Sequence, residues 1–170
     1  MGWEAPLTTI NAGNAAPAFT LKSLDGTEYA LAKLLEKGPV VAAFFKVSCP
    51  VCQFTLPFLQ RLADHYAGDE VTILSVSQDG AKDTAAFNKE YRLTLLTLLD
   101  DSGYPVSNAY GLSMVPTIFL IEPDGRVKIS SMGFDKADLE KIAAELAKRK
   151  KIAAAPLFRP EERIPASKPG

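Results

Sequence analysis

Both cysteines of this chain lie in one short segment, residues 46–54, which separates an apolar run from an amphipathic one. The apolar run, residues 39–45, is short and rich in β-branched and aromatic side chains, which is typical of a strand buried on both faces. After the segment, apolar residues recur at helical spacing as far as about Gly68. The sequence therefore predicts a buried strand that leads through both cysteines into a helix.

The cysteines have the spacing Cys-x-x-Cys, as Cys49-Pro50-Val51-Cys52. Pro50 is predicted to occupy the first helical position, where its missing N–H is no loss, so Cys49 becomes the cap residue. Free N–H groups and the positive end of the helix dipole stabilise an anion there, and the pKa of such a cysteine falls below its usual value of about 8.5. Cys49 is therefore the predicted attacking thiol, and Cys52 the predicted resolving thiol.

Three other interpretations of the pair compete with a redox site. A structural zinc site needs four ligands, whereas this pair supplies two, and the only histidine, His65, lies near the far end of the same helix. Two inert core cysteines are unexpected at a strand-to-helix junction with a proline between them. A structural disulfide would close too small a loop to stabilise the fold much. A redox-active pair without a metal is the best interpretation.

The composition of the chain limits its partners and its location. With 170 residues and 47% hydrophobic composition, the chain is most simply one domain with extensions. A net charge of −1 argues against a nucleic-acid partner. No run of about 18 or more apolar residues occurs, and residues 1–7 contain neither a basic nor a hydrophobic leader, so we expect no membrane association and a cytoplasmic protein. In a reducing cytosol, Cys-x-x-Cys is expected to be catalytic.

The rest of the sequence predicts alternating strands and helices. Residues 18–24 and 27–29, on either side of an Asp-Gly turn, predict an N-terminal β-hairpin. Strands and helices then alternate, and residues 115–132 predict a closing antiparallel hairpin before a final helix that Asp135 caps. The predicted fold class is therefore α/β.

The composition changes after the final helix. Residues 153–170 contain several prolines among charged residues, with scattered apolar side chains. We therefore divide the chain into a domain, residues 1–152, and an extended tail, residues 153–170. The sequence leaves open whether this tail is disordered or docks through Phe158 and Ile164 on the domain or on a partner.

Several features together resemble the thioredoxin superfamily: the motif at a strand-to-helix junction, Pro57 inside the following helix, the later Val115-Pro116-Thr117 and the closing hairpin with its helix. Within that superfamily, residues 13–150 are most similar to the membrane-anchored or secreted thiol-disulfide reductases of cytochrome maturation and to the related alkyl-hydroperoxide-reductase/thiol-specific-antioxidant (redoxin) domains. The resemblance implies a three-layer fold with a central mixed sheet flanked by helices.

The resemblance also implies roles for individual residues. It implies that Cys49 is the nucleophile, that Cys52 is the resolving thiol and that Pro116 is a cis proline facing them. The backbone of Val115 would then hydrogen-bond an extended substrate segment, and Pro50 would also contact the substrate.

The chain departs from the usual thioredoxin pattern around the motif. Val47-Ser48 replaces the aromatic residue that commonly precedes the first cysteine, and the buried acidic residue of many thioredoxins falls at Ala43. Asp79, at the end of the next strand, lies near where the reductase branch places a comparable acidic residue, so the resemblance implies that Asp79 substitutes for that acid in proton transfer. Lys46 would lower the pKa of the first cysteine if its ammonium lay close, although a solvated lysine is an equally good interpretation.

Three functions remain open from the sequence. The leading one is a thiol-disulfide oxidoreductase that reduces protein disulfides, with a thiol reductant or reductase as electron donor and no bound cofactor. The alternative is a peroxiredoxin-like thiol peroxidase with Cys49 as the peroxidatic and Cys52 as the resolving cysteine, although Ala42 and Lys46 replace the Pro and Thr of the peroxiredoxin motif. The third is a redox-responsive module that binds a partner through its tail.

Overall fold

The computed structural model describes residues 8–170 and shows a mixed β-sheet with helices on both faces. The strands of the sheet are β1 (Thr20–Ser23), β2 (Glu28–Ala30), β3 (Val40–Phe45), β4 (Thr72–Ser77), β5 (Leu96–Leu99), β6 (Thr117–Ile121) and β7 (Val127–Met132). A separate two-stranded ribbon consists of β8 (Phe134–Asp135) and β9 (Ser167–Lys168). The helices are α1 (Leu31–Leu35), α2 (Pro50–Tyr66), α3 (Ala81–Glu90), α4 (Pro105–Ala109) and α5 (Lys136–Lys150).

The strands of the sheet lie in the order β2-β1-β5-β4-β3-β6-β7. The three strands β3, β4 and β5 are parallel, and α2 and α3 provide the crossover connections that parallel neighbours need. The pairs β1–β2, β1–β5, β3–β6 and β6–β7 are antiparallel. The predicted N-terminal hairpin, the closing hairpin and the mixed sheet are therefore confirmed.

Strand β3 is buried along its whole length, as its apolar sequence predicts. Because alternate side chains of a strand point to opposite faces of the sheet, Ala43 and Phe45 join the core beneath α2, α3 and α5. Ala42 and Phe44 join the core on the other face, which α1 and α4 cover. The strand is therefore fixed at the centre of the sheet, and so is the start of the segment that follows it.

Helix α2 follows the motif and carries the predicted apolar stripe. It has 17 residues, with Pro50 at its start and Pro57 in its interior. Its buried residues include Leu59 and Leu62, which belong to the same core as β3. Within residues 8–170, no helix is long and apolar enough to cross a membrane.

The lead-in to β1 is predicted to be irregular over residues 1–16, of which residues 1–7 lie outside the described part of the chain. In the described part, Ala15 forms an isolated bridge with Arg126, and the Arg126 guanidinium donates a hydrogen bond to the carbonyl oxygen of Gly13 at 2.9 Å. The lead-in is therefore held against the turn of the closing hairpin.

The tail, residues 153–170, docks on the domain, which answers the question that its sequence leaves open. Leu157 is 4% exposed and belongs to the core on the α2 side of the sheet. Phe158 packs on Phe58 of α2, with ring centroids 4.9 Å apart. Further along the tail, β9 pairs antiparallel with β8.

An ion pair between Arg61 and Glu162 fastens the tail to α2. The Arg61 guanidinium donates to both carboxylate oxygens of Glu162, at 2.8 and 2.6 Å. These hydrogen bonds, with a further one from the backbone N–H of Arg159, lower the pKa of Glu162 from 4.5 to about 2. The charged form of Glu162 therefore stabilises the docked tail above pH 4.5, and this contribution is lost as the pH falls towards 2.

We expect acidification to loosen the tail before it unfolds the domain. The observable is amide hydrogen exchange in residues 153–165, corrected for the intrinsic effect of pH and compared at about pH 5 and about pH 2.5. Exchange should accelerate in the natural chain much more than in Arg61→Gln, in which the ion pair is absent at both pH values. An equal response of the two proteins would contradict this role of the pair.

Candidate active site

The Cys-x-x-Cys motif lies where β3 ends and α2 begins. Cys49 is the N-cap residue of α2 and Pro50 is its first residue, as predicted. The backbone N–H of Cys52 donates a hydrogen bond to the Sγ atom of Cys49 at 3.2 Å. A helix N-terminus supplies free N–H donors and a positive dipole end, and the Cys49 sulfur lies against them.

The two cysteines differ in exposure. Cys49 is partly exposed, whereas the side chain of Cys52 is fully buried. Burial raises the pKa of Cys52 above its ordinary value, and the hydrogen bond with Cys49 raises it further. Cys52 is therefore held as a neutral thiol, and Cys49 is the sulfur that an incoming substrate reaches first.

The loop before β6 lies against the motif, although it is distant in the sequence. The peptide bond between Val115 and Pro116 is cis. The Cys49 Sγ atom donates a hydrogen bond to the carbonyl oxygen of Val115 at 3.5 Å, and Pro50 is exposed beside it. The structure therefore brings the partly exposed Cys49 together with the residues that the resemblance assigns to substrate binding.

Asp79 lies beside the segment that precedes Cys49. Its Oδ2 atom accepts a hydrogen bond from the backbone N–H of Val47 at 2.8 Å. The Nε2 atom of Gln53 donates to the carbonyl oxygen of the same Val47 at 3.0 Å. Both backbone groups of Val47 are therefore held, which fixes the loop that presents Cys49. After burial, the charge of Asp79 is one of the smaller causes that raise the pKa of Cys52.

Replacement of Asp79 by asparagine should separate its positioning role from the predicted role in proton transfer. Asparagine keeps an oxygen that accepts from Val47, but it cannot take up a proton from Cys52. We expect turnover with a small disulfide to fall about tenfold near neutral pH, and the deficit to shrink at higher pH, where hydroxide removes the proton instead.

The matched control for this experiment is Asp83→Asn, because Asp83 is an exposed carboxylate in the first turn of α3. This control should leave both the turnover and its pH profile unchanged. An Asp79→Asn variant with the turnover and pH profile of the natural chain would remove Asp79 from the mechanism.

Gln53 and Tyr104 also lie at the site, although neither belongs to the set of residues predicted from the sequence. The place of Gln53 one turn after Cys49 is visible in the sequence, but the backbone group that its amide meets is not. Tyr104 lies under the ammonium of Lys46, with 5.4 Å between Nζ and the ring centroid. The predicted effect of Lys46 on Cys49 stays a prediction.

The zinc interpretation can be examined through the arrangement of ligands. In the part of the chain that the structure describes, no group of three or more His, Cys, Asp or Glu side chains could hold a metal ion. The ring of His65 lies 6.0 Å from that of Tyr66, in the last turn of α2, whereas the cysteines lie at its first turn. His65 and the cysteines therefore lie at opposite ends of α2.

A paired thiol at the start of a central helix, on a mixed sheet with helices on both faces, places the molecule among the thioredoxin-like thiol-disulfide oxidoreductases. Residues 12–130 match the model of the AhpC/TSA family, and the chain belongs to that family. The family match covers the N-terminal hairpin, the motif and the Val115–Pro116 loop. The tail lies beyond it.

Relatives with established names support the same class. The thiol-disulfide oxidoreductase ResA of Geobacillus thermodenitrificans is 34% identical over 122 residues, which are 71% of this chain and 69% of that protein. The ResA of Geobacillus kaustophilus is 32% identical over 136 residues, which are 79% of this chain and 77% of that protein. The solved thioredoxin domain of a thiol-disulfide oxidoreductase from Bacteroides vulgatus superposes with a TM-score of 0.71 at 23% identity, covering 81% of this chain and 98% of that one, and shows the same fold.

Proposed function

We propose that the protein reduces disulfides in protein substrates through a dithiol–disulfide cycle of Cys49 and Cys52. The observation that carries this proposal is the unequal pair: Cys49 is partly exposed and its Sγ atom accepts a hydrogen bond from the N–H of Cys52, whereas Cys52 is fully buried. The accessible sulfur suits the first attack on a substrate, and the buried thiol suits an intramolecular second step. The relatives named thiol-disulfide oxidoreductase ResA support this reaction class.

The cycle begins when the Cys49 thiolate attacks one sulfur of the substrate disulfide. A bond forms between that sulfur and Cys49, the substrate S–S bond breaks, and the second substrate sulfur leaves as a thiolate that takes up a proton. Cys52 then loses its proton and attacks the Cys49 sulfur, which releases the first substrate sulfur as a thiol. Two electrons have passed to the substrate, and the protein holds a Cys49–Cys52 disulfide.

A thiol donor, either a small reductant or a reductase, returns the two electrons by the same exchange chemistry, so the cycle requires no bound cofactor. A reducing thiol pool that includes a donor of lower potential than the pair would keep the pair as a dithiol between turnovers. The cytoplasm, which maintains such a pool, is therefore the location that we propose.

The surface around Cys49 suits an extended polypeptide segment. The carbonyl oxygen of Val115 lies 3.5 Å from the reactive sulfur, so a substrate strand that pairs with the backbone of Val115 brings its disulfide to Cys49. Such strand addition uses main-chain hydrogen bonds and accepts many sequences. Pro50 adds an exposed apolar contact next to the sulfur.

The reduction of insulin by dithiothreitol tests the proposal. The freed B chain precipitates, so turbidity records the cleavage of protein disulfides. We expect catalytic amounts of the protein to shorten the lag and to raise the rate well above that of dithiothreitol alone. A rate no greater than that of the reductant alone would overturn the proposed function.

The peroxidase alternative predicts a different result on the same sample. In a thiol peroxidase the peroxide oxidises the Cys49 thiolate to a sulfenic acid and is itself reduced to water or an alcohol. The Cys52 thiol then condenses with the sulfenic acid, which forms the disulfide and releases water. Ala42 is buried in β3 and the Lys46 ammonium lies over Tyr104, so these positions offer neither the proline nor the hydroxyl of the peroxiredoxin motif. We therefore expect peroxide consumption near background, whereas rapid consumption with slow insulin reduction would favour the alternative.

A further inference from the structure

Residues 166–170, the strap, run across the face of the molecule that carries Cys49. The backbone N–H of Lys136 donates a hydrogen bond to the carbonyl oxygen of Ala166 at 2.9 Å, and Lys168 pairs with Phe134 in the ribbon of β8 and β9. The ammonium of Lys168 lies 4.5 Å from the ring centroid of Phe54, in the first turns of α2. The strap therefore lies between the start of α2 and the segment that follows the closing hairpin.

The strap also touches the loop that faces Cys49. Gly133 has φ +69°, and a methyl carbon placed on it would lie 2.6 Å from the carbonyl oxygen of Lys168 and 3.5 Å from the Cα atom of Pro169. A methyl carbon on Gly170 would overlap the carbonyl oxygen of Val115. The backbone of the strap thus approaches Gly133 at one point and Val115 at another. Both approaches are so close that a side chain on Gly133 or on Gly170 would not fit without a shift.

The same carbonyl oxygen of Val115 receives the hydrogen bond from Cys49. A polypeptide that lies along Val115 to reach Cys49 must therefore enter space that Gly170 occupies. A small disulfide needs less of that space, because it can approach the exposed sulfur without pairing with the loop.

We propose that the strap is a displaceable occupant of the surface on which an extended polypeptide substrate docks, so that substrate and strap compete for one place. This inference rests on the proposed reduction of protein disulfides. The strap pairs as a β-strand with Phe134 and lays the long side chain of Lys168 over the ring of Phe54. An extended substrate segment that takes its place would pair with Phe134 and cover Phe54 in the same way.

The strap is held more weakly than the tail that precedes it. Four of its residues are exposed and Lys168 is half-buried, whereas Leu157 is buried in the core. The ion pair of Arg61 with Glu162 fastens the tail before the strap begins. The strap can therefore leave the site while the rest of the tail remains docked.

Removal of residues 166–170 tests this competition, because a chain that ends at Pro165 retains the buried anchor and the ion pair. When an occupant must leave before a substrate binds, the apparent affinity falls by the fraction of open molecules. We expect the truncation to lower KM for insulin about three- to tenfold, with kcat unchanged and with no change in either constant for hydroxyethyl disulfide.

The matched control for the lost charge is Lys148→Ala, because Lys148 is a 79% exposed cation on α5, outside the strap. This variant should keep the KM of the natural chain for both substrates. Equal KM values for insulin in the truncated and the natural chain would overturn the competition.

Alkylation of reduced Cys49 tests the strap without any catalytic step. Iodoacetamide is a small reagent, whereas a poly(ethylene glycol) maleimide is bulky, and the buried Cys52 is shielded from both. Truncation should raise the rate with the bulky reagent about three- to tenfold and leave the rate with iodoacetamide unchanged. An unchanged ratio of the two rates would overturn the proposal that the strap covers the approach to Cys49. Truncation could also raise the ratio of the bulky-reagent rate to the iodoacetamide rate in a protein that reduces no insulin. That result would support the covering role of the strap and refute the proposed function.

Discussion

Substitution of Cys49 by serine is expected to lower the turnover of insulin disulfides at least about a thousandfold. The thiolate is the nucleophile in disulfide exchange, and a serine hydroxyl is not ionised near neutral pH. Serine is also a favourable N-cap residue, and its oxygen can accept the hydrogen bond that Cys49 accepts from the N–H of Cys52. The variant should therefore remain folded, which circular dichroism can verify.

Substitution of Cys52 by serine should give a different defect. Cys49 can still attack, but no second thiol releases the substrate, so the cycle stops at the mixed disulfide. We expect a covalent adduct between Cys49 and a protein disulfide that survives non-reducing gel electrophoresis and disappears with dithiothreitol. The exposed Ser48→Ala variant is the control and should turn over normally without a trapped adduct. An adduct on Cys52 in Cys49→Ser, with none in Cys52→Ser, would reverse the assigned roles.

Substitution of Phe134 by alanine is expected to lower the free energy of unfolding by about 3–5 kcal/mol. The Phe134 side chain is 0% exposed. Its ring centroid lies 4.9 Å from that of Phe54, 5.9 Å from that of Phe58 and 6.0 Å from that of Phe158. The substitution therefore leaves a cavity where α2, the ribbon and the tail meet, and urea denaturation measures the loss.

The control for Phe134→Ala is Met132→Ala, two residues earlier. Met132 is 50% exposed, so its truncation should change the free energy of unfolding by no more than about 0.5 kcal/mol. Similar losses in the two variants would show that the aromatic cluster does not hold the tail and α2 together.

The centre of the site could be predicted from the sequence because its geometry is local. The buried strand, the cap at Cys49 and the helix that starts at Pro50 depend on residues that are close in the chain. Their apolar spacing and the proline at the helix start are visible in the printed sequence. The Val115–Pro116 loop is distant, and only the likeness to a known superfamily connected it with Cys49.

The tail and its strap could not be predicted in the same way. Arg61 and Glu162 are separated by 101 positions, and no periodicity marks either residue as a partner of the other. The contact of Gly133 with the strap likewise depends on how β8 and β9 pair. Such long-range contacts follow from the assembled fold, so the sequence left both docking and disorder open for residues 153–170.

The contacts of the side chains around the motif could not be predicted from the sequence either. The position of Asp79 at the end of β4 is predictable, but its hydrogen bond to the N–H of Val47 follows from the loop conformation. Lys46 has a long side chain, and its ammonium lies over Tyr104. The sequence therefore predicts that such a residue lies near the site, but not which atom its side chain contacts.

The reduction potential of the Cys49–Cys52 pair, equilibrated against glutathione with peroxide consumption assayed on the same sample, tests the proposed reductase most directly. A protein that reduces disulfides must pass electrons to its substrates, so its own potential must lie below theirs. We predict a potential near or below about −270 mV, without peroxide turnover. A potential above about −180 mV, or rapid peroxide consumption, would contradict the proposed function.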